Sequence, residues 1–223
     1  MRTIGAADLV PVLVIEVAGS PATWLGMVQV RERIVDRSKV PMIVLMDKNI
    51  HAAVVYDGRL FKVQELSWTD AHGGAMRREI VRHPGAVLIV PVLDPQRLVM
   101  IRNYRLAADQ TLWEFPAGKL ESGEDPLHAA HRELEEETGF RAARMFKLGE
   151  FYTSPGLTDE LMRVFVAEEL SSVGQRLEPG EDIQVEHVSV SRALQMVGDG
   201  SLRDAKGIAG LLMLQCHQTR NAA

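Results

Sequence analysis

Glu133, Glu136 and Glu137 stand three and four residues apart in the segment Pro126–Glu137, and no other feature constrains this chain so tightly. The segment predicts a helix. Asp125 is placed to cap it, Pro126 suits the first helical position, and Gly139 suits the position just past its end. Leu127, Ala130 and Leu134 recur at helical spacing as an apolar stripe. On such a helix the three carboxylates share a face, where like charges destabilise it by a few tenths of a kcal/mol per pair. A compensating cation is therefore expected. Hard oxygen ligands converging from one face suit Mg²⁺, which keeps part of its water shell and shares its coordination with phosphates. A solvated acidic face is the plainer alternative, but the flanking residues argue against it. Gly118–Lys119–Leu120–Glu121–Ser122–Gly123–Glu124 is a glycine-bounded loop that can turn carbonyls to a metal and N–H groups to a phosphate. Arg132, beside Glu133, can orient a carboxylate.

Composition narrows the partners. A chain of 223 residues with 46% hydrophobic residues is long enough for a real core, as one large domain or a principal domain with a smaller one. Its net charge of -5 argues against a nucleic-acid or membrane-surface binder, because phosphate-backbone affinity needs clustered cations. A small anion held locally by a metal and a few arginines is not excluded. The single cysteine, Cys216, rules out an internal disulfide and a cysteine-rich metal site, and its apolar surroundings predict a buried thiol. The apolar run Leu9–Val17 is bracketed by Asp8 and Glu16 and has no basic region before it, so it does not read as a signal peptide. No run is long enough to span a membrane, and a cytoplasmic location is expected.

Along the chain, Val28–Val35 and Met42–Met46 read as strands from their β-branched and apolar content. Ala53–Tyr56 and Leu60–Leu66 read as a hairpin turning at Asp57–Gly58, and Arg77–Val81 as a further strand. His83–Pro84–Gly85 breaks the pattern. Ala86–Val92 is apolar almost throughout, as a strand buried on both faces should be, and Leu98–Tyr104 returns after Asp94–Pro95. Trp113–Phe115, Leu148–Thr153 and Leu161–Ala167 are further strands; Ser191–Val197 and Asp204–His217 are further helices. This mixture favours a mixed sheet flanked by helices.

The pattern Gly118-x5-Glu124-x7-Arg132-Glu133-Leu134-x-Glu136-Glu137-x-Gly139-Phe140 resembles the Nudix box at every defined position. The resemblance implies an α/β (α+β) chain: a Nudix α/β/α sandwich with a mixed sheet over residues 83–217, a small N-terminal antiparallel β-sheet domain over 1–82, and a tail at 218–223. It implies hydrolysis of a diphosphate by water with Mg²⁺ or Mn²⁺. Glu133 and Glu137 match the main metal ligands, Glu136 a further ligand, and Arg132 the orienting arginine. Trp113–Glu114–Phe115–Pro116–Ala117–Gly118 resembles the approach to the box in the ADP-ribose pyrophosphatase branch, where the alanine carbonyl, here Ala117, ligates metal. Pro155 and Gly156, in Ser154–Glu160, resemble that branch's downstream substrate-contacting segment. Arg78 and Arg105 match its substrate-binding arginines. A guanidinium fork suits a diphosphate.

The branch commonly places its general base on a loop near the C-terminus, which here matches Leu177–Glu178–Pro179–Gly180–Glu181–Asp182. Glu181 is the first choice for that role, followed by Glu178 and Glu160. Of the aromatics that would sandwich an adenine, the sequence offers Trp24, Tyr56 and Trp68. The resemblance also implies a homodimer and the products AMP and ribose 5-phosphate from ADP-ribose. The rival readings are another nucleoside diphosphate sugar (GDP-mannose or ADP-glucose), a non-catalytic ADP-ribose sensor, and an enzyme acting on oxidised nucleoside triphosphates. The sensor is disfavoured because every box glutamate is present. The last leaves Ser154–Glu160 unexplained.

Overall fold

The computed structural model describes residues 9–18, 27–36, 50–58, 61–70, 72–177 and 180–222. The strand expected at Met42–Met46, Trp24 and Glu178 lie outside them. Two compact units emerge, one formed by residues 1–50 with 68–76, the other by 51–67 with 77–223. In the first, β1 (Leu9–Ala18) and β2 (Met27–Asp36) pair antiparallel from Leu9↔Asp36 to Ala18↔Met27. The β-branched run at Val28–Val35 is therefore a strand, and so is Leu9–Val17.

A three-stranded sheet follows in the order β3 (His51–Asp57), β4 (Lys62–Thr69), β5 (Ala75–Arg82). The β3–β4 register joins Asp57 to Lys62, with Gly58 N–H donating to the Phe61 carbonyl at 3.1 Å. The connection is thus Gly58 through Phe61, longer than the Asp57–Gly58 turn expected. Loop length, not the Asp-Gly pair, sets the register.

The rest of the chain is built on β6 (Ala86–Asp94), β7 (Arg97–Arg105), β8 (Gln110–Glu114), β9 (Ala117–Lys119), α1 (Pro126–Thr138), β10 (Phe140–Tyr152), β11 (Leu161–Ser172), β12 (Ile183–Ser189), α2 (Val190–Gly198) and α3 (Ala205–Ala222). The sheet order is β10-β11-β6-β7-β12, with β8 added on β7 and β9 on β6. The β11–β6 pair is parallel and its neighbours are antiparallel, so the sheet is mixed as expected.

The apolar run of β6 explains the layering. Ala86, Leu88 and Val90 pack on one face with Ala193 and Met196 of α2 and Leu211 and Leu214 of α3. Val87 and Ile89 pack on the other with Ala129, Ala130 and Leu134 of α1. β11 divides the same way, Met162, Val164 and Val166 against Phe165 and Ala167. A strand needs continuous hydrophobicity only when both faces are covered. Each fully buried Leu, Ile or Phe here contributes about 1.5–3 kcal/mol.

Three local expectations need correction. Leu127 is exposed on the first turn of α1; the buried face is Ala129, Ala130, Leu134, Glu137 and Thr138. Cys216 is exposed, because α3 buries Leu211 and Leu214, and two residues past Leu214 lies the opposite side of a helix. The strand expected at Leu148–Thr153 is the second half of β10, whose first half was hidden by a bulge between Lys147 and Gly149. A bulge shifts the side-chain alternation by one residue.

Candidate active site

Helix α1 is fixed at both ends by the residues the sequence marks. Asp125 Oδ1 accepts from the backbone N–H of Leu127 at 3.0 Å and of His128 at 3.1 Å. Gly139 takes φ 70° and donates its N–H to the Glu135 carbonyl. The rotation so defined brings Glu133 and Glu137 toward the short strand β9. Glu137, only 4% exposed, accepts from the Ala117 N–H at 2.9 Å. Burial pushes its carboxyl up to about 8; the Ala117 N–H opposes this, while the charges of Glu133 and Glu181 add to it. Burial likewise raises Glu133, against the pull of Arg132, and Glu136 and Glu181 add to the rise. Glu181 is thus an electrostatic neighbour of both helix carboxylates.

Arg132 pairs with three of the neighbouring carboxylates. Its Nη1 donates to Glu133 at 2.7 Å and to Glu136 at 3.1 Å, and its Nε and Nη2 each donate to Glu124 at 3.0 Å. Glu124 is held down at about 2, chiefly by that guanidinium, and Arg132 is raised in return. Among the described residues no group of three or more Asp, Glu, His or Cys closes into a ready-made metal cage. The donor set nevertheless fits a hard divalent cation. The charge of Glu181 adds to the rise of both Glu133 and Glu137, and a cation beside these carboxylates would relieve that repulsion.

Gly118 is required by this packing. A Cβ there would overlap the Glu133 carboxylate. Only the end of a flexible side chain would have to move, so Gly118→Ala is expected to displace Glu133 with little loss of fold. The expected result is about a 10²-fold drop in kcat/KM with a Tm within about 2 °C of the parent, measured by steady-state turnover and thermal denaturation.

Arg105 is close enough for its charge to act on Glu137, and its fork holds Glu114 at 2.7 Å through both Nε and Nη2. Glu114, 1% exposed, also takes Lys206 Nζ at 2.6 Å, and Lys206 reaches Asp204 at 2.9 Å. This chain of ion pairs ties α3 to β7 and β8. Sequence reading missed Glu114 and Lys206, which lie 92 positions apart.

The remaining sequence candidates lie elsewhere. Arg78 is exposed on β5. Pro155 and Gly156 lie in an exposed turn where Leu157 and Thr158 donate to the Ser154 carbonyl. Glu160 accepts from Thr153 Oγ1 at 2.6 Å and lies 3.6 Å from His83 Nδ1. The Ser154–Glu160 segment instead docks on the end of β5. Val81 N–H donates to the Leu157 carbonyl, Arg82 Nη1 donates to Asp159 at 2.8 Å, and the His83 N–H donates to Asp159 at 2.9 Å. This docking borders a cavity of about 720 Å³ lined by Phe61, Lys62, Arg82, His83, Lys119 and Asp159, among others. Lys119, in the cavity wall, directly follows Gly118 on β9, the strand against which Glu133 and Glu137 pack. Phe61 also packs against Tyr56, ring centroids 5.9 Å apart. Trp68 is half-buried on β4.

The family model described as NUDIX domain matches residues 82–209. An ADP-ribose pyrophosphatase of Bacillus subtilis (strain 168) is 39% identical over 180 residues, 80% of this chain and 97% of the relative. A GDP-mannose pyrophosphatase of Klebsiella pneumoniae is 35% identical over 190 residues, 76% of this chain and 93% of the relative. A crystal structure described as an ADP compounds hydrolase superposes with a TM-score of 0.70 at 24% identity, covering 77% of this chain and 94% of that one, which supports the fold.

Proposed function

The chain belongs to the NUDIX domain family, and from that premise we propose that it hydrolyses ADP-ribose to AMP and ribose 5-phosphate with Mg²⁺ or Mn²⁺. The observation that carries this reading is the packing of Glu133 and Glu137 beside Gly118 and Ala117, with Glu181 near enough for its charge to act on both. Glu133, Glu136 and Glu137, with the Ala117 carbonyl, would hold the metal. When bound, a divalent cation neutralises charge on the diphosphate and lowers the pKa of a coordinated water.

The chain's own residues do the rest. Arg132 keeps Glu133 and Glu136 oriented. The Glu181 carboxylate takes the proton of the attacking water. Arg105, its Nε and Nη2 anchored on Glu114, has Nη1 left to donate to the diphosphate. Lys119, in the cavity wall, suits the anionic part of the same ligand, Lys62 and Arg82 there being paired with Asp57 and Asp159. Arg78, Pro155 and Gly156 belong to this proposal as substrate contacts completed in a homodimer, and Glu160 as a secondary candidate base. Among the described residues no helix is long and apolar enough to cross a membrane; we place the enzyme in the cytoplasm.

A panel of ADP-ribose, ADP-glucose and GDP-mannose, assayed for nucleoside monophosphate release with Mg²⁺, Mn²⁺ or EDTA, tests the reading. The highest kcat/KM is expected for ADP-ribose, with turnover abolished by EDTA. The Klebsiella relative favours GDP-mannose as the second reading, and a higher kcat/KM on that sugar would replace the first. Tight ADP-ribose binding without turnover would mark a sensor instead.

A further inference from the structure

Beyond the end of β11 the chain turns back along the C-terminus of α1. Val173 and Gly174 donate their N–H groups to the Gly139 carbonyl, at 2.8 and 3.2 Å, and Arg176 N–H donates to the Glu136 carbonyl at 3.0 Å. The Gln175 side chain completes the strap. Its Nε2 donates to the Glu137 carbonyl at 2.7 Å and to the Ile183 carbonyl at 3.1 Å. Glu137 is a carboxylate of the reactive cluster, and Ile183 is the first residue of β12, two positions after Glu181. One amide group thus joins the helix that carries Glu133 and Glu137 to the strand that receives the chain just after Glu181.

We infer that Gln175 is a positioning residue for the Glu181 carboxylate. The inference rests on the reading of Glu181 as proton acceptor, and concerns how that acceptor is held. Both protons of the Gln175 amide are directed at main-chain carbonyls, so the side chain is not a substrate donor. Its effect on turnover runs through the distance between Glu181 and the helix carboxylates. A misplacement of about 1 Å at such a group lowers turnover about 10²-fold without touching the ligands.

A double-mutant cycle on the full-length enzyme tests this, with ADP-ribose and saturating Mg²⁺. Gln175→Met keeps the length of the side chain and removes the donors; Gln175→Glu keeps the shape and places an acceptor against two carbonyls. Each is expected to lower kcat at least about 10-fold, with KM and the Mg²⁺ activation constant within about twofold of wild type. Glu181→Gln alone is expected to lower kcat by about 10² or more. Added to Glu181→Gln, Gln175→Met is expected to change nothing further, because the group it positions is already disabled. A wild-type kcat in both Gln175 variants overturns the inference. So does an equal fold-loss from Gln175→Met in both backgrounds, which would mean that the strap only stabilises the fold. A near-normal rate for Glu181→Gln would instead remove Glu181 from its role, a result separable from either of these.

Discussion

Glu137→Gln is expected to lower kcat/KM by about 10³-fold or more and, in the same protein stripped of metal, to raise the melting temperature at pH 8. Both effects arise from one carboxylate. It is buried against β9, and burial together with Glu133 and Glu181 pushes it up to about 8, from an ordinary glutamate value of 4.5. A carboxyl whose affinity for its proton rises on folding favours the native state while that proton is bound. Its contribution is complete below pH 4.5 and is lost as the pH climbs through about 8. Full loss corresponds to roughly 5 kcal/mol as an upper bound, or a fall in Tm of about 10–20 °C for a chain of this size. The metal-free wild type is therefore expected to melt lower at pH 8 than at pH 5, and Glu137→Gln to show much less of that decline. Divalent metal should erase the difference by supplying the missing charge. A Tm that rises between pH 5 and pH 8 in chelated wild type would contradict this account of the site.

Gly139→Ala is expected to unfold rather than to inactivate. Its φ of 70° is in the left-handed region, which a side chain adopts only under strain. A Cβ there would also lie 2.6 Å from the Gln175 nitrogen and 2.8 Å from the Gly174 carbonyl carbon, both main-chain atoms with nowhere to retreat. Strain and overlap together are expected to destabilise by about 2–4 kcal/mol, lowering Tm by about 4–16 °C in thermal denaturation. Gly118→Ala offers the contrast within the same motif, since there the obstacle is the flexible end of Glu133. A Gly139→Ala variant as stable as its parent would show that the strap yields.

What the sequence reveals about this site follows the range of the forces involved. Asp125, Pro126 and Gly139 act within one helical turn of themselves, and their roles were readable from their positions. The Arg132–Glu133–Glu136 contacts are also local. Glu114 with Lys206, Arg82 with Asp159, and Gln175 with Glu137 join residues 38 to 92 positions apart. Nothing near any of these residues announces its partner. Strand β12 was missed because Gln184, Glu186 and His187 interrupt its apolar residues, as they can on a strand with only one sheet neighbour. Cys216 was misread because local hydrophobicity does not say which side of α3 meets the sheet.

The parallel pairing of β6 with β11 has a consequence for the order in which the protein can be made. Helix α1 rests on Val87 and Ile89 from one strand and on Phe165 and Ala167 from the other. On a ribosome the glutamate helix is synthesised well before β11, so half of its platform does not yet exist. Until Ala167 has emerged, Leu134 has only part of its burial partners and the acidic face has no settled orientation. The hydrolytic centre therefore cannot mature as a local motif during translation. It waits for a strand that begins 21 residues after the motif's last residue, Phe140. Nascent chains arrested before β11 are expected to expose α1 to protease and to leave the carboxylates unassembled.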